Sequence, residues 1–311
     1  MNHIKYTIET QRLTKKFKEL IAVNSLTLNI EKGEIFCFVG PDGAGKTTTI
    51  RMLTGIMEPT EGEARVVGFD IKTEGEKIRE YISYMSQRFG LYEDLTVEEN
   101  MSFYADLYEV PQSERRKQFE RLLSFSRMTP FRKQLAGNLS GGMKQKLGLS
   151  CALIHKPEVL FLDEPTNGVD PISRREFWEI LYELLQEKVT IFVSTAYLDE
   201  AERATRVGLI HRGNLLLMDT PRNIKERFPH MLLAVKSSDN RALNRFLEKS
   251  PLVIKSKILG EYTHLILKKN FSDWETLWCN IKETGLEVYE YHKLKPTLED
   301  SFISIIEEIN K

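Results

Sequence analysis

The segment Gly40-Pro-Asp-Gly-Ala-Gly-Lys-Thr47 places three glycines, an ammonium and a hydroxyl within eight positions. It fits the pattern G-x-x-x-x-G-K-[ST], which follows a strand and opens a helix. Both neighbours are present, as "EIFCFV" before it and "TTTIRMLTG" after it. Glycines let the backbone wrap closely, so that successive N–H groups point inward at phosphate oxygens. The start of the helix adds partial positive charge. The expected phosphate ligands are Gly40, Pro41, Asp42, Gly43, Ala44, Gly45, Lys46, Thr47 and Thr48. Lys46 is placed to reach the β- and γ-phosphates, and the Thr47 hydroxyl to hold Mg²⁺. The segment thus predicts a nucleoside triphosphate site.

Two further groups extend that chemistry. "EVLFLDEP" is an apolar strand ending in Asp163 and Glu164. Four apolar residues before the pair put both acids at the carboxyl edge of a sheet, where such folds bind ligands. Asp163 suits a Mg²⁺-linked carboxylate, and Glu164 suits the orientation or deprotonation of a water. Leu139-Ser-Gly-Gly-Met-Lys-Gln145 offers a second anion-binding helix start. Ser140 is a good N-cap there, and Gly141 and Gly142 leave the amides bare.

The elements that must position these groups alternate. From Glu34 to about Gly213, short apolar runs and longer amphipathic runs argue for α/β with a mostly parallel sheet. The clearest buried strands are residues 35–39, 159–162, 190–194 and 207–210, while residues 22–30 alternate like an antiparallel strand. Between about Thr96 and Lys156 the chain reads as helical, and Thr96 with Glu99 forms a capping box. Past Pro221 the order becomes βαββαβ with an added helix, over residues 232–235, 240–249, 253–258, 262–268, 273–284, 288–291 and 298–309. That is the ferredoxin-like pattern.

Composition bounds the rest. The 311 residues carry 41% hydrophobic and 29% charged side chains, with room for one large domain and a small one. Lys and Arg number 44 against 45 Asp and Glu, so the charge balance calls for no nucleic acid. The basic clusters "RRKQ" (115–118) and "SRREF" (173–177) read as solvated helix faces. Cys37, Cys151 and Cys279 fit no metal or redox spacing, and the first two sit in apolar runs as core thiols. There is no signal-peptide core and no run near the roughly 20 apolar residues of a membrane helix. The expected location is cytoplasmic, with any membrane role exercised through a partner.

With cradle, acidic strand end and "LSGGMKQ" together, residues 4 to 225 resemble the ATP-binding subunits of ABC transporters. The resemblance implies a P-loop cassette over residues 1–225: a RecA-like core, an antiparallel β subdomain and a helical subdomain at about residues 90–156. Residues 226–311 would form a small accessory α+β domain. It implies that Ser140, Gly141, Gly142 and Gln145 bind the γ-phosphate held by the other subunit of a head-to-tail dimer. Phe17 matches the aromatic that stacks on adenine, with a core phenylalanine as the competing reading. Gln87 in "YMSQRFGLYEDLT" matches the glutamine that senses Mg²⁺ and water and couples to the membrane subunit. Asn167-Gly-Val-Asp170 matches the loop that crosses the dimer interface. "PTLEDSFISII", "YLDEAER" and "HRGNLLLMDTP" resemble subunits that serve type-2 exporters of drugs and antibiotics.

One position departs from that family. After "VST" its members usually carry a histidine that contacts the γ-phosphate and steadies the catalytic glutamate, whereas this chain has Ala196. Two arrangements are compatible with it. In one, the chain pairs with a different ATP-binding subunit that supplies its own histidine. In the other, a homodimer turns over slowly while Ser194, Thr195 or Tyr197 partly substitutes. The implied cofactors are ATP and Mg²⁺, and the implied partner is a membrane-spanning permease that seats the chain on the inner face of the membrane. Competing functions are a soluble ABC-type ATPase in DNA repair or translation and a regulatory ATP binder without turnover. The chain lacks the long heptads and basic linkers of the first, and an intact Glu164 argues against the second.

Overall fold

The computed structural model describes residues 5–87 and 90–309. It divides into two compact units, Met1–Pro221 and Arg222–Lys311.

The centre of the first unit is a six-stranded sheet in the order Asn214–Asp219, Arg206–His211, Ile35–Val39, Thr190–Thr195, Val159–Asp163, Ile82–Met85. The last five run parallel, and Asn214–Asp219 pairs antiparallel with Arg206–His211. Three of these strands are buried along their whole length, as their unbroken apolar runs require. Phe36, Phe38, Phe161 and Phe192 meet across them with ring centroids 5.4 to 6.2 Å apart. Parallel pairing aligns the carboxyl ends, so Val39, Asp163 and Thr195 finish at one edge, with Val39 opposite Thr195 and Asp163 opposite Ser194. That edge carries the chemistry.

A second sheet, antiparallel, has the order Leu20–Glu31, Tyr6–Phe17, Glu61–Val66, Phe69–Asp70. The helical stretch contains Val97–Leu107, Gln112–Phe125 and Gly141–Ala152. Thr96 caps the first of these: its hydroxyl accepts from Glu99 N at 3.2 Å, and Glu99 accepts in return from Thr96 N at 2.8 Å. Val97, Met101 and Ala105 are buried there, whereas Tyr92, Phe103 and Leu107 are exposed. Residues 92–107 therefore contribute only partly to the subdomain's own core.

The second unit is a four-stranded antiparallel sheet in the order Lys255–Leu259, Tyr262–Lys268, His230–Ser237, Val288–Leu294. Numbered along the chain, that order is 2-3-1-4, the ferredoxin-like arrangement expected from βαββαβ. Leu233, Val235, Leu265 and Leu267 form a core with Leu243 and Leu247 of helix Asn240–Leu247 and with Leu277 and Ile281 of helix Trp274–Glu283.

The basic clusters behave differently from expectation. Arg116 and Arg175 are solvated, but Arg115 pairs with Asp106 and donates to Val110 O at 2.7 Å. Arg174 faces the buried carboxylate of Glu200 at 3.2 Å. Helical periodicity marks a face as polar, and only the tertiary fold brings the acid to it. Cys37 and Cys151 are buried, as expected, and Cys279 is exposed.

Replacing Thr96 by Ala removes the cap and leaves buried Val97 and Met101 in place. The expected loss is about 1 kcal/mol of stability, read as a lower denaturant midpoint for the first unit with an unchanged m-value.

Candidate nucleotide site

The turn after strand Ile35–Val39 runs through Pro41, Asp42 and Gly43, all exposed at its lip, and enters helix Lys46–Leu53. Gly45 sits at φ 108°, and a Cβ there would lie 2.4 Å from Ala22 O, so no other residue fits. The turn is braced from behind, since Ala44 O accepts from Gly213 N at 2.9 Å and Gly40 N donates to Thr195 O at 3.2 Å. No acidic residue occupies the helix's first turn. Its free amides and dipole therefore present uncancelled positive potential.

Lys46 is only 4% exposed. Its ammonium donates to Gly40 O at 2.8 Å and Pro41 O at 3.1 Å, and Glu164 Oε1 lies 3.1 Å away. Thr47 Oγ1 donates to Asp163 Oδ1 at 3.0 Å, and Ser194 Oγ donates to the same oxygen at 2.6 Å. Tyr84 OH reaches Asp163 Oδ2 at 3.4 Å. One end of the sheet thus gathers a hydroxyl, a carboxylate, an ammonium and a second carboxylate. A hydroxyl beside a buried carboxylate is a hard oxygen donor set of the kind Mg²⁺ takes. The bare amides and Lys46 suit phosphate, so the residues present fit a Mg²⁺–nucleoside triphosphate.

Glu164 has φ 50°, a left-handed conformation that costs a non-glycine residue on the order of 1 kcal/mol. Its amide holds that geometry by donating to Ser194 O at 3.0 Å and Ser194 Oγ at 3.1 Å. Its carboxylate accepts from Gln87 Nε2 and Asn167 Nδ2, each at 3.2 Å. Gln87, the last described residue before 88–89, is exposed.

The remaining expected residues divide. Phe17 is 42% exposed at a strand end, with Lys15 Nζ 5.3 Å from its ring centroid, so it is not a core residue. Thr48 lies half-buried on the cradle helix. Ser140 caps helix Gly141–Ala152, accepting from Met143 N at 3.3 Å, and no acid enters that first turn either. A Cβ on Gly142 would lie 2.4 Å from Ser173 Cβ, whereas Gly141 faces open space. Gln145 is half-buried on the same helix. Among the described residues, Ser140, Gly141 and Gly142 make no hydrogen bond to the cradle of their own chain.

Behind Ala196 lies a network the sequence reading did not anticipate. Glu200 is fully buried; it accepts from Thr195 Oγ1 at 3.0 Å and from Thr166 Oγ1, and it faces Arg174. Burial pushes its carboxyl up, while Thr166, Thr195 and Arg174 pull it down. As the first acid of the helical "EAER" it reads as part of an ordinary solvated helix start, so only the fold reveals its burial.

A family model described as "ABC transporter" matches residues 23–167. YbhF of Escherichia coli, a probable multidrug ABC transporter ATP-binding protein, is 44% identical over 288 residues, which cover 92% of this chain and 49% of YbhF. The chain thus spans about half the length of that relative. BcrA of Bacillus licheniformis, a bacitracin transport ATP-binding protein, is 33% identical over 96% of this chain and 97% of its own length. A solved dimeric ATP-binding cassette in a post-hydrolysis state, bound to ADP and Pi, superposes with TM-score 0.62 at 26% identity, covering 68% of this chain and 98% of that one. The chain belongs to the family of ATP-binding subunits of ABC transporters. No helix of the described residues is long and apolar enough to cross a membrane.

Gly142→Ala forces Ser173 to move, so helix Gly141–Ala152 must shift at its start. A loss of about 1–3 kcal/mol is expected, measured by denaturant unfolding of the full chain. Gly141→Ala at the open neighbouring position serves as the control and should cost less.

Proposed function

We propose that the chain binds and hydrolyses ATP to drive a separate membrane-spanning exporter. The supporting observation is the convergence of Lys46, Thr47, Asp163 and Glu164 on one sheet edge beside a helix start free of acids. The cradle amides and Lys46 would hold the β- and γ-phosphates, and Phe17 would stack on the base. Thr47 and Asp163, with Gln87 beside them, would hold Mg²⁺, which supplies charge neutralisation at the bridging phosphate oxygens when bound. Glu164, oriented by Gln87 and Asn167, would position the attacking water and draw its proton.

Ser140 to Gly142 form a bare helix start with no hydrogen bond to their own cradle, which suits a γ-phosphate held by a second copy or a related subunit. Two chains would then close head to tail over ATP and part after hydrolysis, because ATP binds the closed state better. The names of YbhF and BcrA favour drug-like or antibiotic cargo. Exposed Tyr92, Phe103 and Leu107, downstream of Gln87, offer an apolar seat for the permease.

Ala196 points to weakened chemistry in this site. Ser194 and Thr195 are buried and already committed to Asp163 and Glu200, so neither is free to replace a histidine. The missing interaction is worth roughly 1.5–3 kcal/mol, and its loss from the transition state alone slows turnover about 10- to 150-fold. ATP binding and dimer closure do not need it.

The test is steady-state ATP turnover by the chain assembled with its permease. Ala196→His should raise kcat by about 10-fold or more with little change in KM; an unchanged kcat would contradict the weakened site. Glu164→Gln should still bind ATP and accumulate a closed dimer, measured by size-exclusion chromatography with ATP and Mg²⁺. Binding without any dimer would count against head-to-tail closure.

A further inference from the structure

Thr195 is the point at which three parts of the site are fastened together. Its carbonyl accepts from Gly40 N, the first residue of the cradle, at 3.2 Å. Its hydroxyl donates to Glu200 Oε2 at 3.0 Å and accepts from Tyr197 N at 3.0 Å, which closes the backbone over Ala196. The other oxygen of Glu200 accepts from Thr166, two residues past Glu164. Arg174 completes the set: its Nε lies 3.2 Å from Glu200 Oε1, and its guanidinium carbon lies 4.6 Å from the Tyr197 ring centroid. Arg174 belongs to helix Pro171–Gln186, whose first turn carries Ser173, the residue packed against Gly142.

A carboxylate with no exposed surface is costly unless its oxygens are fully matched. Glu200 meets that condition only when the loop at 195–197, the loop at 164–167 and helix Pro171–Gln186 keep their mutual places. Displacing any one of them strips a partner from a buried charge, so the three resist relative motion together. Residue 196 itself contributes only a methyl group to this region.

We propose that Glu200, acting through Thr195 and Arg174, is a positioning residue for hydrolysis: it locks the Ala196 loop to the loop bearing Glu164 and to the helix behind Gly142. The inference rests on the ATPase reading above. Within that reading it makes the side chains at 195 and 200, rather than the one at 196, responsible for holding the strand-end loop in register with Glu164. Ground-state ATP contacts would come from the cradle, which Thr195 holds through its backbone carbonyl, a contact that survives replacement of its side chain.

Thr195→Val and Thr195→Ser separate this role from plain stability. Valine keeps the buried shape and removes both hydroxyl bonds, while serine keeps the hydroxyl and loses a methyl group. In the full chain with its permease, Thr195→Val should lower kcat about 10-fold at nearly constant KM for ATP. Thr195→Ser should stay within about twofold of the parent. Thermal midpoints of both variants monitor folding, and Arg174→Lys, at a partly exposed position, should reproduce the kcat loss in milder form. A Thr195→Val enzyme with the parent kcat, or a serine variant as impaired as the valine one, overturns the proposal while leaving the ATPase reading intact. A parent chain with no ATP turnover at all overturns both.

Discussion

A positively charged ammonium held almost out of water is the constraint on which the site depends. Lys46 lies at the start of a helix whose dipole has the same sign, in a turn lined with backbone amides. Such a charge is tolerable only where oxygens surround it, and Gly40, Pro41 and Glu164 supply them. A polyanion is the natural ligand for that arrangement. Glu164 faces Lys46 with Oε1 and accepts from Gln87 and Asn167 with Oε2, so each of its oxygens is matched.

The fold enforces this meeting through parallel strand order. Ile35–Val39 and Val159–Asp163 are not neighbours; Thr190–Thr195 lies between them and touches both. Its last two residues do different work on either side, Ser194 fixing Asp163 and the strained amide of Glu164, Thr195 fixing Gly40 and Glu200. The left-handed backbone at Glu164 is held by its amide donating to the carbonyl and hydroxyl oxygens of Ser194. Few polar groups stand open at this sheet edge, and a larger set of buried polar groups holds them in place.

Much of this was legible from residue order alone. Apolar runs located four of the five parallel strands to within one or two residues, because both faces of such strands are covered; the short edge strand Ile82–Met85, with Ser83 and Tyr84 in its middle, gave no such run. The capping box at Thr96 and the βαββαβ order were equally readable, being local signals. The cradle, the acidic strand end and the helix start at Ser140 were visible because each motif carries its own residue types at fixed spacing. The Glu200 lock was not, since Thr166, Arg174, Thr195 and Glu200 show no mutual spacing and meet only after the sheet is assembled. Arg174 illustrates the point, for on its helix it looks solvated and in the fold it answers a buried charge. The exposure of Phe17 was also beyond reach, since an aromatic at a strand end can face either way.

In the proposed closed dimer one triphosphate would be gripped by the cradle of one copy and by Ser140 to Gly142 of another. The most direct measurement is photo-crosslinking with a γ-phosphate-reactive ATP analogue in a mixed dimer of Glu164→Gln chains, only one of which keeps Lys46. Label is expected at residues 140–142 of the copy lacking Lys46, carried in trans by nucleotide bound to the other. Label confined to the copy that holds the cradle, in an assembly shown to be dimeric, would contradict it.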